Sequence, residues 1–257
     1  MGERARALDR GSASAETLSA WYGLSLRLSP GRDAAGRLAN VYRSAGQAEQ
    51  AVLLWRWLAD RFPLEEGDYW WAIAQAAELE SAWDQAAQAY ARGAQVASEP
   101  YDFWMRQAAL FGRLERVREQ EQAYHRAIEA CPDCVAPYLA LGHLWRRQGQ
   151  LQGARAWFGE AARVAPRSVY PLYYQAQVLY DEGARSAAVQ SLERALVLHQ
   201  GQRWEWAMQL GDWRRQGGDR SGALAAYRQA LEWKPDETAI QERIRDLQLG
   251  VGESENH

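Results

Sequence analysis

"YLALGHLWRRQGQLQGARAWFGEAARVAP", Tyr138 to Pro166, carries two apolar stripes separated by a polar turn. Tyr138, Leu141, Gly142 and Trp145 recur at helical offsets, and so do Ala154, Phe158 and Ala161, so each half has one face to bury as an α-helix. Gly149 between them suits a left-handed cap, and Pro166 cannot continue a helix interior. The stretch reads as two amphipathic helices folded against each other.

The same text returns on both sides. Trp55, Tyr90, Tyr124, Phe158, Leu192 and Tyr227 follow one another at spacings of 35, 34, 34, 34 and 35 residues. Ala51, Ala86, Gln120, Ala154, Ala188 and Ala223 stand four residues before them; Leu58, Gly93, Ala127, Ala161, Ala195 and Ala230 stand three after. In the preceding helices the small residues Ala39, Ala74, Ala108, Gly142, Ala176 and Gly211 follow Leu38, Ile73, Gln107, Leu141, Gln175 and Leu210. Small residues let two backbones approach, and the aromatics fill the space between neighbouring pairs. A turn column of Gly46, Ser81, Glu115, Gly149, Gly183 and Gly218 joins the helices, and Pro63, Pro132, Pro166 or Pro235 follows the second. One pair cannot bury both of its apolar faces, whereas a stack can.

On these residues the sequence resembles the tetratricopeptide repeat family, a 34-residue helix-turn-helix with the pattern W…LG…Y…A…F…A…P. Its departures are Gln120 for a small residue, Gln107 and Gln175 for large ones, Arg214 for an aromatic, and Ser98 and Gln200 for Pro. The resemblance implies an all-α, right-handed α-solenoid of stacked antiparallel helix pairs. Six repeats are predicted at 32–66, 67–100, 101–134, 135–168, 169–203 and 204–237, preceded by a partial repeat or cap over 1–31. A capping helix and flexible tail are predicted for 238–257, with Ile240, Ile244 and Leu247 on one face. Leu18, Tyr22 and Pro30 echo Ala51, Trp55 and Pro63 at a distance of 33. A natural cap and a cut edge both predict such a partial repeat, so an excised C-terminal part of a longer protein is one reading.

Composition agrees with one helical body: 257 residues, 47% hydrophobic and 25% charged, without a Pro-, Ser- or Gly-rich divide. The net charge is -3, and Lys234 is the only Lys among 30 bases, a usage ascribed to a genome rich in G and C. No apolar core of a signal peptide stands in the first residues, and no window reaches the ~18 apolar residues of a membrane span. Direct membrane insertion is therefore not expected. The default compartment is the cytoplasm, or an extracytoplasmic one if the chain is excised from a larger membrane protein.

Catalytic patterns are missing from the sequence. It has no GxxxxGK, GxGxxG after a strand, GxSxG or HExxH, and only four scattered His. The expectation is a protein that is not an enzyme and has no cofactor. Arg residues interleave with acids, as in "RLERVRE", and Arg146-Arg147 and Arg214-Arg215 close first helices where cations favourably meet the helix dipole. Nucleic-acid binding needs uncompensated positive charge and is not expected.

Cys131 and Cys134, the only two cysteines, flank Pro132 in the inter-repeat turn. A structural turn accounts for them. A local disulfide outside the cytosol, or zinc shared between two chains, are the alternatives, since a structural zinc site wants four ligands and only His125 and His143 are near in sequence. No metal site is predicted.

In the family, first helices line the concave surface. The resemblance therefore places a candidate groove on Trp71, Gln75, Met105, Leu139, His143, Arg146, Tyr173, Gln177, Tyr180, Met208 and Asp212, with Tyr170 beside it. Trp71, Met105, Leu139, Tyr173 and Met208 form one apolar column across repeats. Such anchors suit a protein or peptide partner with hydrophobic or aromatic side chains. The competing expectation is that these side chains pack between adjacent first helices. The acidic C-terminus clamp of some family members is not assembled, because Asn40 is followed by Trp71, Gln75, Met105 and Ala109. The expected role is a scaffold, adaptor or assembly factor. The alternative is an accessory domain of a larger bacterial enzyme such as a membrane-bound glycosyltransferase or ligase. Oligomeric state stays open.

Overall fold

A computed structural model describes residues 14–28, 31–62, 66–199 and 203–249, the side chain of Glu66 excepted. Pro30, Pro63, Gln200, the Arg-rich start and the tail from 250 lie outside the described residues. Among the described residues there are fourteen helices and no strand. Two compact units make up the chain, Met1–Pro132 and Asp133–His257. The first holds α1 (Ala15–Leu28), α2 (Arg32–Ser44), α3 (Ala48–Arg61), α4 (Glu66–Leu79), α5 (Trp83–Val96), α6 (Tyr101–Arg113) and α7 (Val117–Ala130). The second holds α8 (Val135–Arg147), α9 (Leu151–Val164), α10 (Tyr170–Asp181), α11 (Arg185–Leu198), α12 (Trp204–Gln216), α13 (Arg220–Trp233) and α14 (Thr238–Leu249). Within each unit every helix packs on the next. The unit boundary is invisible to the repeat spacing, which runs unbroken from Tyr124 to Phe158.

The turns follow the sequence closely. Gly46, Ser81, Glu115, Gly149, Gly183 and Gly218 all have φ between 58° and 84°. At Gly149 the amide donates to the Arg146 carbonyl (3.0 Å) and that of Gln150 to Trp145 (3.0 Å), which satisfies carbonyls that the helix end leaves free. The same paired bonds recur at the other five turns. Ser81 and Glu115 adopt this conformation despite the crowding of Cβ against the following carbonyl.

The columns are the core. Ala51, Ala86, Ala154, Ala188 and Ala223 are completely buried, as are Phe158, Leu192 and Tyr227. Gly142 and Gly211 allow the close approach: a Cβ at Gly142 would meet the Phe158 ring at 2.5 Å, and one at Gly211 the Tyr227 ring at 2.4 Å. Burying a ring such as Phe158 contributes about 1.5–3 kcal/mol. Gln120 and Gln107 are buried too, and Gln107 donates to the Ala87 carbonyl (2.8 Å), so the polar departure from the pattern is satisfied. Trp55 is buried as its column requires, but Trp145 on the first-helix stripe is only half-buried, and so are Trp21, Trp70 and Trp104. At two of them a cation covers part of the ring: the guanidinium of Arg92 lies over Trp70 (5.1 Å) and that of Arg126 over Trp104 (4.8 Å). Ile240 and Leu247 of α14 are buried and Ile244 is half-buried, with polar residues elsewhere on that helix.

Cys131 and Cys134 are disulfide-bonded. As the only two cysteines, they close the turn around Pro132 and Asp133, so the turn and the disulfide coexist. Cysteines engaged in this way are not available as thiolate ligands. Among the described residues no group of three or more His, Cys, Asp or Glu could hold a metal. No helix among them is long and apolar enough to cross a membrane.

Candidate functional site

The predicted column is half-buried at every position, and the described rings show why. In the first unit Trp71 on α4 meets Tyr90 and Phe103 edge-on, with ring centroids 5.4 and 5.0 Å apart. Arg106 covers the indole at 5.7 Å. Gln75 and Met105 are half-buried, and Met105 belongs to no buried apolar cluster among the described residues. The tryptophan therefore serves packing between α4 and α6 as much as it faces outward.

The second unit repeats that arrangement. Tyr173 on α10 lies flat on Trp206 of α12, 4.2 Å away with planes 7° apart, and Tyr180 lies flat on Trp213 at 4.5 Å and 8°. Leu139 packs with Phe158 and Val178, and Met208 against the cluster around Trp206. Tyr170 is the exposed member, at 37%. Its hydroxyl accepts from Arg203, whose guanidinium lies over both Tyr170 (5.5 Å) and Trp206 (5.8 Å). Offsets of three and four put these side chains on one face. They do not reveal Trp206, Trp213 and Tyr174 as the partners, because a ring stacks on whichever neighbour the helix spacing brings near.

The polar stripe residues link successive first helices. Arg146 of α8 donates to Gln177 and Asp181 of α10, and Tyr180 donates to Gln216 of α12. Asp212 of α12 accepts from Tyr227 (2.7 Å) and from Arg243 of α14 (2.8 Å). In the first unit Glu78 accepts from Tyr90 and pairs with Arg113 at 3.7 Å. Burial, and then the hydrogen bond and charge of Glu78 or Asp212, raises the Tyr90 and Tyr227 phenols well above their usual range. These phenols therefore act as donors to the stripe. His143 sits against Tyr174 (4.2 Å) and Phe158 (5.2 Å). Burial first, then the charges of Arg146 and Arg147, lowers its pKa, so the imidazole favours the neutral form.

Clefts away from this column also lie in the first unit. One of 290 Å³ is lined by Val52 and Arg56 of α3, Trp70 of α4 and Gln88 and Arg92 of α5. Another, of 640 Å³, is lined by Arg32, Gly36, Arg37, Asn40 and Arg43 of α2 and by Tyr69 of α4. The sequence signal for the latter is one step in the column: Gly36 stands three residues before Ala39, as Trp71 does before Ala74.

No family model and no curated protein matches this chain. Solved structures do. The C-terminal part of a TPR repeat-containing protein from Cytophaga hutchinsonii superposes with a TM-score of 0.70 at 11% identity, over 90% of this chain and 94% of that one. The APC/C hetero-tetramer Cut9-Hcn1 gives 0.52 at 17% identity, over 93% of this chain and 47% of that one. MamA gives 0.54 at 14% identity, over 65% of this chain and 97% of that one. At such identities the likeness is one of fold.

Proposed function

We propose that this chain, built on the tetratricopeptide repeat fold, is a non-catalytic module that holds a peptide or partner domain along its first helices. The observation that carries this reading is the column Trp71, Met105, Leu139, Tyr173 and Met208, in which every member is only half-buried. Half-buried rings fixed on one side by a neighbour are rigid anchors, and ordering them on binding costs little. Each unit contributes its own stretch: Trp71 and Met105 in the first, Leu139, Tyr173 and Met208 in the second. The matched Cut9-Hcn1 structure is a hetero-tetramer, which supports a role in assembly.

The test is site-specific photo-crosslinking in a lysate of the source organism. Benzoylphenylalanine replaces Met105 or Met208 on first helices, and Gln88 or Gln190 on second helices. Protein adducts from Met105 or Met208 alone are the expected result. Adducts from Gln88 or Gln190 alone would move the site to the second helices, and the stripe reading would fail.

A further inference from the structure

The helix end at Cys131 has the same backbone as two others that carry no disulfide. Cys131 ends α7 with φ -144° and ψ 84°, and its amide donates to the Ala127 carbonyl (2.9 Å). Ala165 ends α9 with φ -125° and ψ 72° and donates to Ala161 (3.0 Å); Lys234 ends α13 with φ -141° and ψ 78° and donates to Ala230 (3.0 Å). Proline follows each of the three, at 132, 166 and 235, and the residues standing where Cys134 stands are Ser168 and Glu237. Two of the three turns therefore hold this geometry without a sulfur.

A disulfide stabilises a fold by limiting the unfolded chain, and that gain shrinks with the loop it closes. Only Pro132 and Asp133 lie inside this one, and Pro132 already restricts the chain there. The bond is thus a weak staple at a turn that needs none. Both cysteines are half-buried and the two residues between them are exposed, so the turn meets solvent. Its sulfurs are also unequal. Cys134 is the N-cap of α8 and its side chain makes no capping hydrogen bond. Freed by reduction, its sulfur stands at the positive end of the α8 dipole, where a thiolate is favoured. Cys131 caps the C-terminal end of α7, where the last carbonyls disfavour one. Asp133 opposes negative charge on either sulfur, and Arg163, within electrostatic reach of Asp133, partly offsets it.

We infer that Cys131 and Cys134 form a reversible redox couple that exchanges with a low-molecular-weight thiol, Cys134 being the leaving thiolate. The incoming thiolate attacks Sγ of Cys131, the bond between the two cysteines breaks, and its electron pair goes to the Cys134 sulfur, which leaves a mixed disulfide on Cys131. A second thiolate attacks the small-molecule sulfur of that mixed disulfide, forms the small disulfide and expels Cys131 as a thiolate. Two thiols are oxidised to one disulfide while the protein disulfide is reduced to two thiols, and the protons shed by the former return to the cysteine sulfurs or to water. The couple stands whether or not the first helices hold a peptide, because neither cysteine belongs to the column from Trp71 to Met208.

The experiment equilibrates the whole chain at neutral pH, without oxygen, in mixtures of reduced and oxidised glutathione, starting once from the disulfide and once from the dithiol. Acid quenching, alkylation of free thiols with N-ethylmaleimide and mass spectrometry read the reduced fraction. Both starting points should converge on one fraction at each ratio, with half-reduction reached in millimolar reduced glutathione, and circular dichroism of the two forms should coincide. A disulfide that opens only in urea, or helicity lost on reduction, would mark a structural staple and overturn the inference. Cys131→Ala/Cys134→Ser installs the pair found at Ala165 and Ser168 and should keep the parent's helicity; its unfolding would overturn the inference as well. Alkylation of Cys131→Ser, which keeps Cys134, should accelerate at lower pH than that of Cys134→Ser, which keeps Cys131. Coincident or reversed profiles would remove Cys134 as the leaving thiolate.

Discussion

Tyr124 of the first unit and Phe158 of the second stand in one column 34 residues apart, yet their surroundings differ. Phe158 is fully buried between Gly142 and the rings of His143 and Tyr174. Tyr124 is half-buried, and it accepts a hydrogen bond from the buried Gln120, whose amide lies over Gly112 where the aromatic lies over Gly142. The first unit also contains Gln107 at a core position and turns without glycine at Ser81 and Glu115. The second unit has a polar departure too, the half-buried Gln175, but all three of its turns of this kind are capped by glycine. At these two residues the same column is thus kept in two ways: by close apolar packing at Phe158, and by a satisfied polar group, Gln120, at Tyr124.

That contrast can be broken most strongly at the shared column. Phe158→Ala should destabilise by about 3–5 kcal/mol, since it opens a cavity among fixed neighbours, while Tyr124→Ala should cost clearly less because its site is partly open to solvent. Urea unfolding followed by circular dichroism measures both, and equal losses would remove the distinction between the units.

A smaller effect is expected where the polar core replaces the apolar one. Leu141→Gln should cost about 2–4 kcal/mol, from lost apolar burial and an amide left without a built partner. The reciprocal Gln107→Leu should change stability by less than about 1 kcal/mol, because Ala87 lies inside α5 and the helix itself occupies its carbonyl. A large loss in Gln107→Leu would mean that the Gln107 bond organises the first unit.

The turns give the smallest effect and sharpen the comparison. Ser81→Gly or Glu115→Gly should stabilise by roughly 0.5–1 kcal/mol, as relief of the left-handed backbone exceeds the extra chain entropy of glycine. Gly149→Ser should lose a similar amount. Thermal melting of the three variants against the parent checks the sign of each.

Much of this fold was legible in the sequence. Phased columns decide which residues face inward, and the backbone chemistry of a helix end decides that Gly46, Gly149, Gly183 and Gly218 turn left-handed, with Ser81 and Glu115 following from the spacing alone. The stripe was legible as a face but not as a site. Whether Tyr173 is an open anchor or a packed ring depends on Trp206 lying 4.2 Å away, and Arg146 and Asp212 proved to be links between helices.

What the sequence determined by itself is therefore everything governed by local geometry: the helices, their buried faces and the conformation of their turns, because period and steric preference act within a few residues. Tertiary structure alone decided how far each ring in the stripe is covered, and that the two compact units meet in sequence at Pro132 and Asp133. Each of these depends on distances between groups far apart in the chain, which packing fixes and periodicity does not encode.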